Sequence, residues 1–157
     1  MIALHRPPRV AGFTLIELLT TIVVAAILLV VAAPSFVAFK RNSELTSAAN
    51  SLLSAMNAAR GEAMKRGMNA MVVPATGTDW GTGWTVFVDV DRNREYDAGT
   101  DVTVLQQGAI QSYFTAAAQI SGGTAASAVM FDASGYSKAL GSSAFQSLTL
   151  SIARNDL

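Results

Sequence analysis

The spacing of the hydrophobic residues changes twice along this chain, so that three segments with different patterns follow one another. Residues 13–33 are apolar or hydroxylated at every position except Glu17, which carries the only charge in the run. As a helix rising about 1.5 Å per residue, this run would cross about 30 Å, the thickness of a bilayer core. From Pro34 to Arg66 the apolar residues recur at spacings near three and four, and after Gly67 they alternate in short runs. This succession predicts an apolar helix, its amphipathic continuation and a set of strands.

The first two patterns predict one continuous helix over residues 13–66. Its second half carries an apolar stripe formed by Phe36, Phe39, Leu45, Ala49, Leu52, Leu53, Met56, Ala59, Ala63 and Met64. Gly67 is suited to end the helix, and Lys65 and Arg66 lie where basic side chains stabilise a last turn. Because Pro34 has no N–H group, we expect it to kink or loosen the helix.

Beyond the helix, short runs separated by turn residues predict an antiparallel sheet. The predicted strands are 69–73, 84–90, 102–106, a short stretch around Tyr113, 128–131 and 148–152. The predicted turns are 76–82, 91–100, 121–124 and 141–143, and the Ala-, Gly- and Ser-rich residues 115–127 predict a loose loop. We expect the sheet to pack on the amphipathic half of the helix, which makes an α+β fold.

Glu17 restricts the interpretation of the apolar run, because a carboxylate at mid-bilayer costs about 2.5–3.5 kcal/mol on insertion scales. Arg6 and Arg9 precede the run without an acid, which favours a cytoplasmic N-terminus and export of the rest of the chain. A cleaved signal peptide would have a core about twice the usual length, and Pro34 directly follows its candidate small-residue site at 31–33. A plain signal anchor would explain the hydrophobicity but not the short distance from Gly12 to Glu17.

A third interpretation rests on the run GFTLIE at residues 12–17, behind the basic leader. This run resembles the class III signal of type IV pilins and type II secretion pseudopilins, and Pro34 falls where that family has a proline in its N-terminal helix. The resemblance implies that a prepilin peptidase cuts after Gly12 and methylates Phe13, the new N-terminal residue. It also implies that Glu17 neutralises the N-terminal amine of a neighbouring subunit inside a filament.

Residues 80–89, WGTGWTVFVD, are similar to the head of the GspH/FimT group of minor pilins and pseudopilins, although Trp84 is equally explained as a core residue. The resemblance implies the type IV pilin fold: a leader at 1–12, a long helix at 13–66 and a β-rich head at 67–157. Residues 13–33 would be transmembrane first and filament core later.

The same resemblance implies where the chain resides and what it contacts. It would wait in the bacterial inner membrane, with a cytoplasmic N-terminus and a periplasmic head, and then join other pilin subunits. Its role would be that of a structural or initiating tip subunit of a type IV pilus or a type II secretion pseudopilus. The choice between pilus and secretion machinery, and between tip and shaft, stays open.

Oxygen-bearing side chains alternate directly after the WGTGWTVFVD run. Asp89, Asp91 and Asn93 match positions 1, 3 and 5 of an EF-hand calcium loop. The match fails at positions 6 and 12, because Arg94 replaces the turn glycine and Thr100 replaces the bidentate glutamate. One interpretation is a calcium site at the three matching residues. The other is a solvated turn in which the loop arginines pair with the acids.

The composition argues against an enzyme. The chain has no cysteine, and its single histidine is His5 in the predicted leader, so the mature chain lacks the usual groups for base catalysis or zinc binding. We therefore expect no cofactor.

DNA binding is the alternative function, since some FimT-like minor pilins are implicated in DNA uptake through arginine-rich positions near the C-terminus. This chain offers Arg154 beside an acid, and a lone cation supplies few phosphate contacts. The short tail after Arg154 is also compatible with a further strand beyond residue 157.

Overall fold

The computed structural model describes residues 12–156 of the chain. Most of the predicted leader, including Arg6 and Arg9, lies outside the described residues. The described residues divide into two compact units, of which the first ends at Asn42 and the second begins at Ser43.

The first element is α1, Leu15–Arg66, a helix of 52 residues. It begins at Leu15 and not at Phe13 as predicted, because the Thr14 hydroxyl caps it by accepting the N–H of Glu17. It ends where predicted: Gly67 has a φ of 66°, and its N–H donates to the carbonyl oxygen of Ala63 at 2.9 Å. Pro34 lies within α1 and does not interrupt it.

In the first unit, the side chains of α1 leave a long apolar surface exposed. The large apolar side chains between Leu15 and Val30 are 50% to 77% exposed. This part of α1 is long and apolar enough to cross a membrane, and none of it is buried within the described chain. Because soluble monomers rarely expose a contiguous apolar patch larger than a few hundred Å², this surface requires lipid or other protein around it.

The second unit contains the C-terminal part of α1 and seven strands. These are β1 (Ala70–Thr76), β2 (Asp79–Val88), β3 (Val102–Gln107), β4 (Phe114–Ile120), β5 (Val129–Phe131), β6 (Ser137–Lys138) and β7 (Leu148–Arg154). A five-stranded sheet has the order β3-β2-β1-β5-β6, and β4 pairs with β7 in a separate two-stranded sheet. All these pairings are antiparallel, as predicted.

The core of this unit lies between α1 and the sheets. The buried helix residues are Leu52, Ala55, Met56, Ala59 and Ala63, and they pack in one cluster with Val72, Val86 and Val88 of the large sheet. Three of them are alanines, so this part of the helix buries mainly short side chains in the core. Leu53 and Met64 were predicted in the stripe but are 60% and 48% exposed, since they fall beside the buried face. Phe36, Phe39 and Ala49 were also predicted in the stripe and are exposed.

The hairpin between β1 and β2 is tighter than the predicted turn over residues 76–82. Only Gly77 and Thr78 form the turn, and β2 already begins at Asp79. Trp80 explains the difference, because its side chain is fully buried and draws the residues around it into the sheet. A glycine-rich run thus becomes strand through a tertiary contact that local composition does not reveal.

The prediction of a loose loop over 115–127 is wrong for its first half. Phe114–Ile120 forms β4 and pairs with β7 along its whole length. The side chains alternate, so that Phe114, Ala116 and Ala118 are buried and their neighbours are exposed. The strand pattern was hidden because most of the inward positions are alanine, a residue depleted in strands. The short strand β6 was also missed.

Candidate functional site

The predicted processing site lies just before the first turn of α1. Gly12 and Phe13 precede the helix, and the Phe13 side chain is 85% exposed. A methyl group placed on Gly12 would meet no other atom within 4 Å. The bond between these two residues therefore lies in exposed backbone outside the helix.

Glu17 and Thr14 cap the helix reciprocally. The Glu17 N–H donates to the Thr14 hydroxyl oxygen at 3.3 Å, and the Thr14 N–H donates to Oε2 of Glu17 at 3.5 Å. This arrangement is a capping box, in which two N–H groups that have no partner in the helix are satisfied by side chains. Sequence reasoning missed the role of Thr14, although the spacing Thr-x-x-Glu ahead of an apolar run is its signature.

The other polar side chains near this helix end are satisfied locally. The Thr20 hydroxyl donates to the Ile16 carbonyl oxygen at 3.0 Å, and the Thr21 hydroxyl donates to that of Glu17 at 2.7 Å. The Glu17 carboxylate differs, because no cation pairs with it among the described residues. Glu17 is the single charged residue of the apolar run at 13–33, and within the described part of the chain its carboxylate has no charged partner.

A second group of polar side chains lies in the loop between β2 and β3. Asp89, Asp91 and Asp101 bring carboxylate oxygens within 4.8 Å of one another. Val88 pairs with Val102, and this pairing brings the two ends of the loop together. The sequence prediction named Asp89 and Asp91 but missed Asp101, because only strand pairing makes Asp101 a neighbour.

Asp89 is the unusual member of this group. It is fully buried, and neither of its carboxylate oxygens has a hydrogen-bond partner. Burial raises its pKa above the ordinary value. The backbone N–H groups of Arg94 and Arg92 oppose this effect without forming well-aligned hydrogen bonds, and the Asp101 and Asp91 carboxylates reinforce it. A buried polar group left unpaired costs about 1–3 kcal/mol, and a charged one costs more.

Asn93, the third predicted ligand, orders the loop instead. Its Nδ2 donates to Asp91 Oδ2 at 3.1 Å and to Asp97 Oδ2 at 2.5 Å. Its Oδ1 accepts the N–H of Glu95 at 2.7 Å. The amide of Asn93 therefore holds two carboxylates in place.

The loop arginines shape the backbone and do not neutralise the acids. Arg92 and Arg94 have φ of 66° and 69°, a left-handed conformation that few residues other than glycine adopt. Arg94 thus makes the turn for which an EF-hand uses glycine. Its side chain lines a cavity with Asn69 and Asp132. Over residues 12–156, neither arginine forms an ion pair with a loop acid, so the predicted salt-linked turn is not formed.

Arg154, the candidate DNA contact, lies in β7 and is held by an acid. Its Nε and Nη2 donate to the two carboxylate oxygens of Asp156 at 2.9 and 2.8 Å, and its side chain is only 8% exposed. The hydrogen bonds to Asp156 raise the pKa of the guanidinium further above its ordinary value. Asp156 thus neutralises the charge of Arg154 locally, which weakens the attraction of this side chain for a phosphate.

Comparison with known proteins relates this arrangement to two family models. The model described as type II transport protein GspH matches residues 48–156, and the model of the prokaryotic N-terminal methylation motif matches residues 7–33. No curated protein matches the chain.

Among solved structures, the type IV minor pilin FimU of Pseudomonas aeruginosa strain PAO1 is similar. The TM-score is 0.51 at 20% identity, over 74% of this chain and 77% of that chain. The likeness concerns the fold, and it confirms the predicted long helix packed with an antiparallel sheet.

Proposed function

Because the chain belongs to the GspH family and carries the prokaryotic N-terminal methylation motif, we propose that it moves from the inner membrane into a filament as a minor subunit. The chain is a minor pilin or pseudopilin of a type IV pilus or a type II secretion system. Its family and fold are those of structural subunits and not of enzymes. The resemblance seen in residues 12–17 and 80–89 is thereby confirmed.

The observation that carries the proposal is the exposed apolar surface of α1 with Glu17 as its only charge. Before assembly, lipid would cover residues 13–33, and the head would lie on the periplasmic side. The match to the methylation motif supports cleavage between Gly12 and Phe13 by a prepilin peptidase, followed by methylation of Phe13. An intact mass of the purified protein that corresponds to a chain beginning at methylated Phe13 would test this step. A chain that retained residues 1–12 would contradict it.

Glu17 would then guide assembly. Transfer of the apolar helix from lipid to neighbouring helices is almost neutral in apolar area, so specific contacts must determine the register of the subunits. Among residues 12–156, the Glu17 carboxylate accepts only the long 3.5 Å contact from the Thr14 N–H. The free amine of a neighbouring Phe13 would be a stronger partner, because a cation adds a Coulomb attraction that the neutral N–H group of Thr14 does not provide.

Three variants separate the charge of Glu17 from its capping role. Glu17→Gln keeps the capping box, since glutamine serves at that position, but loses the charge. Thr14→Val loses the hydroxyl of the cap and keeps the charge. Glu17→Ala loses the charge and the acceptor for the Thr14 N–H, but keeps the Thr14 hydroxyl. We expect all three to insert into the membrane, and only the two Glu17 variants to be depleted from sheared filaments. Immunoblots of membrane and filament fractions measure this.

The outcome for Glu17→Gln is decisive for this role. Normal filament incorporation of Glu17→Gln would show that charge pairing does not guide assembly. A defect of Thr14→Val equal to that of Glu17→Gln would assign the effect to the helix cap. DNA binding receives no comparable support, because Arg154 is already paired with Asp156.

A further inference from the structure

We propose that the loop between β2 and β3 binds one calcium ion through the carboxylates of Asp89, Asp91 and Asp101. This inference concerns the head alone and does not depend on how the chain assembles. It changes the ligand set expected from the sequence, because Asp101 takes the place of Asn93.

The spacing of the oxygens fits a single ion. Calcium binds oxygen at about 2.3–2.6 Å, so two ligands on opposite sides of one ion lie at most about 5 Å apart. The three carboxylates offer oxygens that all lie within 4.8 Å of one another. One ion between them can therefore contact all three without a large movement of the backbone.

The burial of Asp89 is the independent reason to expect a ligand. Both of its oxygens are buried without a hydrogen-bond partner, and the residue is 0% exposed. Its own N–H donates to the Asn69 carbonyl oxygen at 3.0 Å, which anchors Asp89 at the end of the sheet. Buried charges in proteins are paired or coordinate a metal, and among the described residues no cationic side chain pairs with this one.

Hydrogen bonds hold the Asp101 carboxylate in position, and the carboxylate can still bind a cation. Its Oδ1 accepts the N–H of Val90 at 2.9 Å, and its Oδ2 accepts the N–H of Asp97 at 3.0 Å. Each carboxylate oxygen has a second lone pair, so these bonds orient the group and leave a site on each oxygen. Asp101 is 8% exposed, whereas Asp91 is exposed. The site thus has two buried ligands, Asp89 and Asp101, and one exposed ligand, Asp91, that water can reach.

The donor atoms favour calcium over other metals. Carboxylates are hard oxygen ligands, and the chain has no cysteine and no histidine apart from His5. Magnesium requires a near-ideal octahedron with shorter bonds and usually keeps several waters, whereas calcium tolerates an irregular loop. By comparison with extracellular calcium modules, we expect a Kd on the order of 0.1–1 mM.

Thermal melting of the full chain in detergent micelles tests the site. CaCl2 at about ten times Kd should raise the Tm of the head by roughly 4–8 °C relative to EDTA. Asp91→Asn should weaken calcium binding at least tenfold, and Asp89→Asn should abolish the calcium-dependent rise in Tm. Glu95→Gln is the matched control, since Glu95 lies in the same loop outside the cluster and loses the same charge. It should keep the full response.

Three results would overturn the assignment. The first is the absence of any calcium-dependent rise in Tm for the parent chain. The second is an equal loss of response in Asp91→Asn and Glu95→Gln, which would indicate general screening of the acidic loop. The third is an equal rise in Tm with MgCl2, which would exclude calcium as the specific ligand.

Discussion

The indole Nε1 of Trp80 donates a hydrogen bond to the carbonyl oxygen of Ala126 at 3.0 Å. The N–H of Ala126 in turn donates to the carbonyl oxygen of Ala118 at 2.8 Å. Because Trp80 lies in β2 of the large sheet and Ala118 lies in β4 of the small one, Ala126 links the two sheets of the head. In this link Trp80 contributes its side chain, which is fully buried, whereas Ala126 and Ala118 contribute backbone groups.

Replacing Trp80 with Phe should therefore destabilise the head by about 2–4 kcal/mol, because the Ala126 carbonyl loses its donor and a cavity remains. Trp84→Phe is the matched control. Trp84 is just as buried, but its Nε1 has no hydrogen-bond partner, so only packing is lost. Calorimetry of the full chain in micelles should give a clearly lower Tm for Trp80→Phe. Equal losses in the two variants would show that the hydrogen bond contributes nothing.

Gly83 allows β2 and β3 to approach each other. Its φ is 99°, and a methyl group there would lie 2.3 Å from the Gln107 carbonyl oxygen. Because that oxygen is backbone, relief requires the strands to move, and we expect Gly83→Ala to cost about 3 kcal/mol or more in unfolding free energy.

Gly108 provides the control for that substitution. A methyl group on Gly108 meets nothing within 4 Å. Gly108→Ala should change the unfolding free energy by no more than about 0.5 kcal/mol in denaturant titrations. A loss for Gly83→Ala as small as that for Gly108→Ala would contradict the close approach of the strands.

Arg94→Gly should stabilise the loop. The left-handed conformation costs a non-glycine residue roughly 1–2 kcal/mol, whereas the extra freedom of glycine in the unfolded chain costs about 0.4–1 kcal/mol. Relief of strain is the larger effect, so the unfolding free energy should rise by up to about 1 kcal/mol. Glu95 does not have a left-handed φ, so Glu95→Gly relieves no strain and should lower the unfolding free energy. Denaturant titrations in EDTA measure both, and a loss for Arg94→Gly would contradict the strain.

Asp132 makes the stability of the head depend on pH. Burial acts to raise the pKa of Asp132, but the N–H groups of Tyr136 and Ser134 and the Lys138 ammonium outweigh it, so the pKa lies below its ordinary value. A carboxyl group with a lowered folded-state pKa stabilises the fold above its unfolded-state pKa of about 3.9, and this stability is lost as the pH falls through the folded value.

Asp132→Asn isolates this charge. Oδ1 of Asp132 accepts both N–H groups, and the amide oxygen of asparagine can accept them as well. At pH 7 the variant should therefore be less stable than the parent by no more than about 1 kcal/mol. The difference should shrink as the pH falls to 3. A difference that stayed constant between pH 7 and pH 3 would exclude a role for the Asp132 charge.

Local patterns along the chain were sufficient to predict the long helix and most of the longer strands. The stop at Gly67 was predictable because a glycine after two basic residues is typical of a helix end, and the structure gives this glycine the left-handed φ that such an end uses. The strands over Val102–Gln107 and Leu148–Arg154 were also predicted close to their observed bounds, since both are short runs rich in apolar residues that follow turn residues. β4 was missed because its buried positions are mainly alanine, whose small side chain leaves no clear alternation to recognise.

The sequence by itself determined the family, the α+β fold and the position of Glu17 in the apolar run, because these depend on neighbours along the chain. Only the tertiary structure brought Asp101 beside Asp89, since the two meet through the pairing of β2 with β3. Only the tertiary structure also buried Trp80 and left Asp89 without a partner. Burial and cross-strand contact depend on residues distant in the chain, and a local pattern does not contain that information.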